Sequence, residues 1–164
     1  MPRVRAPVRH VPRPPAPEKR IAAVKSETTY VLEDQIGFRL RRAHQRATDI
    51  FNSTMAEFGL TPTQFAALAK LDDEGPLSQN RLGRLTAMDP ATILGVVGRL
   101  IRQGYVAVRP DPTDGRATLI SLTTTGKERV TEMKTKALVV SSQTLAPLTP
   151  AESKQLVTLL GKIL

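Results

Sequence analysis

From Glu33 to Phe58 the apolar residues Ile36, Leu40, Ala43, Ala47, Ile50, Phe51, Met55 and Phe58 recur every three to four positions, with polar residues between them. That spacing predicts one long amphipathic helix, ended by Gly59. Thr61-Pro62-Thr63-Gln64 has the form of a helix start, with Thr61 as cap, Pro62 at the first helical position and Gln64 closing a capping box. Phe65, Leu68 and Leu71 continue as an apolar stripe until Gly75-Pro76. Ser78 is placed to cap a short helix through Leu85, and Thr86-Ala87-Met88 reads as a tight turn. Asp89 and Pro90 then open another helix as cap and first residue. Ile93, Val97, Leu100 and Ile101 form its apolar stripe, and Gly104 ends it.

The period then changes. Tyr105 to Arg109 is a β-branched run, and Thr118 to Leu122 is its return strand, with Leu119 on one face and Ile120 and Leu122 on the other. Between them lies Pro110-Asp111-Pro112-Thr113-Asp114-Gly115-Arg116, whose Asp-Pro and Asp-Gly pairs mark turns. The helical period returns at Gly126, Val130, Met133, Ala137 and Val140. A second capping box, Thr149-Pro150-Ala151-Glu152, precedes Leu156, Leu159, Leu160, Ile163 and Leu164. A terminal apolar stripe of that kind predicts burial against a partner subunit.

Two short helices followed by a hairpin with a charged tip outline a winged helix-turn-helix. In such a domain the second helix enters a DNA major groove and the hairpin lies beside it. The predicted fold class is mainly α: a winged helix-turn-helix over about 61–122 with a two-stranded β wing, and N- and C-terminal dimerisation helices over about 33–58 and 123–164.

The face of the second helix opposite its apolar stripe carries Ala91, Thr92, Gly95, Arg99 and Arg102. Gly95 and Gly98 each cost roughly 0.5–1 kcal/mol relative to Ala in a helix. Small residues allow a backbone to approach a surface closely, and Thr92 offers a hydroxyl and a methyl to base edges. For Thr92 and Gly95 this favours seating in the groove. For Gly98, tight helix packing explains the glycine equally well. Ser78, Gln79, Asn80, Pro90 and Arg109 complete the candidate DNA-contacting set on this side of the domain, together with Asp114 and Arg116 at the wing tip. An Asp two residues before an Arg can hold its guanidinium in one orientation, and a narrow minor groove attracts Arg.

Charge adds a second feature. The chain of 164 residues has 24 Lys+Arg against 15 Asp+Glu, a net charge of +9, which fits a nucleic-acid or anionic-membrane partner. Seven cations, one anion and six of the 13 prolines fall within residues 1–25. Such a segment cannot bury enough apolar surface to order itself, so residues 1–30 read as a basic Pro/Arg-rich arm ahead of a folded domain over 31–164. Both a solubilising tail and an arm following the DNA backbone fit this composition.

With no cysteine, disulfides, thiolate metal sites and thiol redox sensing are excluded. No apolar run approaches the ~18–20 residues of a membrane span, so the expectation is a cytoplasmic protein without a membrane partner. Neither His10 nor His44 has a Ser, Cys or paired carboxylate at motif spacing, and no phosphate-binding glycine loop or metal-ligand cluster is visible. No catalytic residue, cofactor or metal is therefore expected. His44 beside the first apolar stripe reads as a packed or interfacial histidine, or as a ligand or proton sensor. Arg39, Arg42 and Arg46 share one face of the same helix, either as a solvated row or with one of them pairing a ligand carboxylate.

The segment VRPDPTDGRATLISLTTTG resembles the wing signature of the MarR family of transcription regulators, with its Asp-Pro pair, Asp-x-Arg tip and Leu-Thr leading to a Gly. DPATILGVVGRLIRQGYV is similar to the family's recognition helix. The resemblance covers roughly residues 34–164. It implies a homodimer with intertwined terminal helices, binding double-stranded DNA at a palindromic operator. It also implies regulation of nearby promoters and a pocket for small phenolic or aromatic acid effectors between the dimerisation helices and the winged domain. Pro90, Ala91, Thr92 and Gly95 match groove-facing positions, and Asp114 and Arg116 match the wing pair, which implies a minor-groove role for Arg116. His44, Arg46 and Phe65 are the candidate effector-lining residues. Two departures remove contacts: Gly115 stands where a second basic residue is common, and Gly95 where a polar or basic one is common. The resemblance implies repression or activation at those promoters, and the expected form is a repressor released by a small aromatic acid or phenol. A constitutive, weakly specific architectural DNA-binding protein is the alternative that the bare helix and basic arm suggest, and an interaction module that has lost DNA binding is a second.

Overall fold

The computed structural model describes residues 29–114 and 117–164, so all but the last two residues of the arm predicted over 1–30, and the wing residues Gly115 and Arg116, lie outside the described part. Glu33–Leu164 forms one compact unit. After a 3-10 turn at Leu32–Asp34 come α1 (Ile36–Thr54), a second 3-10 turn (Ala56–Phe58), α2 (Pro62–Glu74), α3 (Gln79–Leu85) and α4 (Pro90–Arg102). Strands β1 (Val106–Pro110) and β2 (Thr118–Leu122) follow, then α5 (Thr124–Leu145) and α6 (Pro150–Leu160).

The first helix departs from its predicted span of 33–58. It begins at Ile36 and ends at Thr54, and Met55 leaves helical geometry at φ −103° and ψ 9°. The tighter turn that follows puts residues three apart on one side, so Met55 and Phe58 both enter the core. Gly59 then ends the turn in the left-handed region, at φ 60°. Phe58 also lies beneath two cations of α5: the Arg129 guanidinium carbon and Lys136 Nζ are 5.5 and 5.8 Å from its ring centre.

Each predicted cap of the winged domain forms. Thr61 and Gln64 make a reciprocal capping box at α2, and Ser78 accepts from Arg81 N at the start of α3. Gln64 does more than cap. Its side chain is buried, accepts from Thr61 N at 2.8 Å, and donates to Gln103 Oε1 at 3.2 Å. Gln103 in turn donates to the Gly59 carbonyl at 3.2 Å. The pair ties the entry of α2 to the exit of α4.

Two features narrow the turn between α3 and α4. Ala87 has φ 53°, and a Cβ on Gly83 would stand 3.2 Å from the Met88 carbonyl. Leu82, Ile93, Val96 and Leu100 fill the space behind this turn, and burial of side chains of this size is worth about 1.5–3 kcal/mol each. The buried face of α4 is Ile93, Val96, Val97 and Leu100, which corrects the predicted stripe: Val96 is inside and Ile101 is exposed.

β1 and β2 pair antiparallel with Val106 opposite Leu122 and Arg109 opposite Leu119. Val106, Ile120 and Leu122 face the core. Leu77, just ahead of α3, exchanges two backbone hydrogen bonds with Ile120 and so adds a one-residue third rung to the wing. Thr123 Oγ1 donates to the Gly104 carbonyl and accepts from Gly126 N, which fixes α5 to the end of α4. At Gly126 the approach is so close that a Cβ would lie 2.1 Å from the Tyr105 carbonyl oxygen.

Along α5, Gly126, Val130 and Met133 are buried, and Ala137 and Val140 are partly buried against the same core. The Thr149–Glu152 capping box starts α6, which has no buried residue in the single chain. Leu156, Val157, Leu159, Ile163 and Leu164 are exposed, as are Ile36 and Leu40 of α1.

Candidate nucleic-acid interface

The candidate surface is built by α3, α4 and the wing. Asp89 sets the direction in which α4 starts. Its carboxylate accepts from Ala91 N and Thr92 N, both at 2.9 Å, and from the Thr92 hydroxyl at 2.6 Å. These bonds, that from the Thr92 hydroxyl foremost, hold the Asp89 carboxyl below its ordinary value of 3.8. They also alter what Thr92 can do. Its hydroxyl proton is committed to Asp89, so Thr92 presents a methyl and acceptor lone pairs rather than a free donor.

The outward face of α4 is defined by the face it buries. Pro90, Ala91, Thr92 and Arg99 are exposed, and Gly95 and Gly98 are partly covered. The covering groups are arginines one turn on: a Cβ at Gly95 would lie 3.6 Å from Arg99 Nη2, and one at Gly98 would lie 3.7 Å from Arg102 Nη1. Among the described residues no neighbouring helix comes within 4 Å of a Cβ built at either position, which leaves Gly98 without a helix-packing partner in the single chain. The glycines leave two guanidinium groups folded along a low surface. Leu94, 61 % exposed, shares this face and was not among the expected residues. Its place three residues after Ala91, outside the Ile93–Val97–Leu100 stripe, was the available signal.

Ser78 and Gln79 are half-buried and Asn80 is exposed at the start of α3. Ser78 Oγ is engaged as the cap, at 3.4 Å from Arg81 N. Arg109 is exposed on β1, and Asp114 is exposed near the wing tip. Asp111 shapes that tip. Its carboxylate accepts from the hydroxyl and the backbone N–H of Thr113, at 2.7 and 2.8 Å, and is held below its ordinary value by those bonds. Arg116 lies outside the described residues.

The three candidate effector-lining residues do not converge in the single chain. Arg46 lines a depression of about 640 Å³ on α1 with Glu33, Phe38, Arg39, Arg42 and Ala43. Phe65 packs against Phe51 with ring centres 5.9 Å apart and lines a different depression between α2 and α5, with Asp72, Asp73 and Lys134. His44 lines neither and is exposed in the single chain, so it is not packed within it, and of the two bland readings only the interfacial one is left open. In the second depression Lys134 binds both Asp72 and Asp73. Those hydrogen bonds raise the Lys134 ammonium above its ordinary range, and Lys134 holds Asp73 below its own. On α1, Arg39 is tied to Asp34 at 2.7 Å, while Arg42 and Arg46 form no ion pair among the described residues.

Among the described residues no helix is long and apolar enough to cross a membrane, and no group of three or more His, Asp or Glu could hold a metal ion.

Comparison with known proteins gives concordant matches. The MarR family profile matches residues 58–117, from the end of the second 3-10 turn into the wing. The HTH-type transcriptional repressor NicR of Pseudomonas putida is 36 % identical over 143 residues, covering 87 % of this chain and 90 % of NicR. A crystal structure of a probable transcriptional regulator from Pseudomonas aeruginosa superposes with a TM-score of 0.78 at 47 % identity, over 82 % of this chain and all of that one. Bordetella bronchiseptica BpsR, whose DNA binding is regulated by 6-hydroxynicotinic acid, superposes with a TM-score of 0.78 at 39 % identity, over 83 % of this chain and 97 % of BpsR.

Proposed function

Because the chain belongs to the MarR family of winged-helix transcription regulators, we propose that it is a homodimeric repressor that binds a palindromic operator and releases it on binding a small hydroxylated aromatic acid. The observation that carries the DNA-binding half is the division of α4. One face is locked into the core, and the other presents Ala91, Leu94 and two glycines beneath the guanidinium groups of Arg99 and Arg102. A low, cationic helix face of this kind suits close approach to base edges, with Leu94 and the Thr92 methyl set against thymine methyls. Arg99, Arg102 and Arg109 supply phosphate contacts, and Arg116 supplies the minor-groove contact.

The effector half rests on the relatives and on charge. BpsR responds to 6-hydroxynicotinic acid, and an acid of that class needs a cationic site with an apolar wall. The α1 depression offers Arg42 and Arg46 beside Phe38. In the α2–α5 depression the one lining cation, Lys134, is already held by Asp72 and Asp73, which leaves no free positive charge for an acid. We therefore place the acid on α1, with its carboxylate on Arg42 or Arg46, and set aside Phe65 and His44 as ligands.

The test is operator binding by the full chain, followed by fluorescence anisotropy on a fragment selected from its own promoter region. We expect 6-hydroxynicotinate to weaken binding, and Arg42→Ala or Arg46→Ala to blunt that response by about tenfold through loss of a charge-assisted bond. Arg116→Ala should weaken operator binding itself while leaving the response to the acid in place. Equal affinity for selected and random DNA would favour the architectural alternative and sink the repressor reading. Unchanged affinity across hydroxylated aromatic acids would sink the effector half alone.

A further inference from the structure

Thr92 stands on the outward surface of α4, one turn before Gly95 and two turns before Arg99, so the three share one edge of the helix. Asp89 holds its side chain in one orientation. Asp89 Oδ1 accepts the backbone N–H groups of Ala91 and Thr92, both at 2.9 Å, which fixes the carboxylate, and Oδ2 accepts the Thr92 hydroxyl at 2.6 Å. Those bonds hold the Asp89 carboxyl below its ordinary value of 3.8, so near neutral pH it is ionised and only accepts. The one hydroxyl proton of Thr92 is therefore directed into the chain. Thr92 itself is exposed, and among the described residues no donor is bonded to its oxygen. What it has left for a partner is a pair of lone pairs and a methyl, carried on the same Cβ. A hydroxyl that donates to an anion is polarised by it and becomes the stronger acceptor.

That chemistry can be matched to base pairs. In the major groove an acceptor needs an exocyclic amine, which only adenine N6 and cytosine N4 supply. Guanine O6 and N7 and thymine O4 are acceptors themselves and repel the Thr92 oxygen. The methyl finds its counterpart on thymine. A·T is thus the pair that shows an amine and a methyl together, while C·G shows the amine alone. Gly95 keeps this edge low, since the nearest group to a Cβ built there is the flexible end of Arg99, at 3.6 Å.

We infer that Thr92 selects an A·T pair in each half of the operator, its oxygen accepting from adenine N6 and its methyl lying against the thymine methyl, and that Asp89 is the positioning residue that enforces the choice by withholding the hydroxyl proton. This choice of base pair rests on the repressor reading above. Without Asp89, a threonine hydroxyl donates as readily as it accepts and separates A·T from G·C poorly.

The experiment uses the full chain and the operator fragment selected from its promoter region, read by fluorescence anisotropy. At each A·T pair in turn, in both half-sites, adenine is replaced by purine, which lacks the N6 amine. In a second series thymine is replaced by uracil, which lacks the methyl. One A·T position, repeated in the two halves, should show a purine penalty of at least about fivefold for the wild type. Thr92→Val keeps the shape and the methyl. It should bind the intact operator at least about fivefold more weakly and lose nothing further on purine at that position. Thr92→Ser should keep the purine penalty and lose the uracil penalty. Asp89→Ala frees the hydroxyl proton and should narrow the preference for A·T over G·C at that position by at least about fivefold. That ratio compares two affinities of one variant, so loss of the helix cap does not move it. Wild-type affinity in Thr92→Val, a Thr92→Val loss coupled to no A·T pair, or the wild-type ratio in Asp89→Ala would each overturn the proposal, and with operator specificity intact the repressor reading would stand. Equal affinity for selected and random DNA would sink that reading and the proposal with it.

Discussion

Two glycines in this molecule answer opposite requirements, and a methyl group separates them. At Gly126 an added Cβ would lie 2.1 Å from the Tyr105 carbonyl oxygen, a backbone atom with little room to move. Gly126→Ala is therefore expected to lower stability by at least about 2 kcal/mol, as overpacking of a closed site does, which urea unfolding would measure. At Gly95 the nearest group is the flexible end of Arg99, 3.6 Å away. Gly95→Ala should raise stability by about 0.5–1 kcal/mol from helix propensity and still weaken operator binding, because it lifts the surface that approaches the groove. Unchanged affinity in a stabilised Gly95→Ala protein would show that this face does not meet DNA. Asp89 adds a pH signature. Its carboxyl is held below 3.8 in the folded chain, first by the Thr92 hydroxyl. A depressed carboxyl contributes stability that is fully present above its unfolded value and is lost as pH falls through the folded one. Asp89→Ala should therefore melt below the wild type at pH 7, and the gap should close as the pH drops well under 3.8. A gap that persisted in strong acid would mean that the cap acts by something other than its charge.

At the scale of elements, the parts that sequence made legible are those in which one residue type has one local task. Thr61, Ser78, Asp89 and Thr149 cap because short oxygen-bearing side chains before a helix have few other uses, and all four do so in the structure. The hairpin was equally clear from its β-branched strands and turn residues. What escaped depends on contacts across the fold. Val96 is buried and Ile101 exposed because α2, α3 and β1, which all pack on α4, decide the width of its buried face. The helix breaks at Met55, and Met55 and Phe58 are both buried across the tighter turn that follows. Leu77 joins the wing through a partner 43 positions on, which no local pattern encodes. Among the site residues, sequence placed the outward face of α4 but missed Leu94, the commitment of the Thr92 hydroxyl to Asp89, and the folding of Arg99 and Arg102 over the glycines. Gln64 shows the boundary well. Its capping role was legible, while its bond to Gln103, far along the chain, was not. Gln64→Ala removes both and strands buried partners, so it should cost about 1–3 kcal/mol. Gln64→Glu keeps the cap acceptor and loses the donor to Gln103, so denaturant midpoints should fall in the order wild type, Glu, Ala. A Glu variant as stable as wild type would mean that the tie to Gln103 contributes nothing.

At the scale of the molecule, the apolar faces of α1 and α6 have no cover among the described residues of one chain. Leu159 is 48 % exposed and Ile36 68 %. If a second copy supplies the cover, folding and association are one event, and the melting midpoint should climb by about 3 °C for each tenfold rise in protein concentration. Removing residues 149–164 should then leave aggregate or unfolded chain. A soluble, cooperatively melting monomer in sedimentation would contradict this. The same uncovered faces bear on heredity. They lie on α1 and α6, apart from the outward surface of α4 proposed to meet DNA, so a subunit with a lesion on that surface would still be accepted by a sound one. With both made in equal amounts, random pairing leaves only about a quarter of the dimers with two working halves. A lesion at Gly95 or Arg99 should therefore behave as a dominant allele, whereas one that destroys α6 removes itself from the pool and should be recessive.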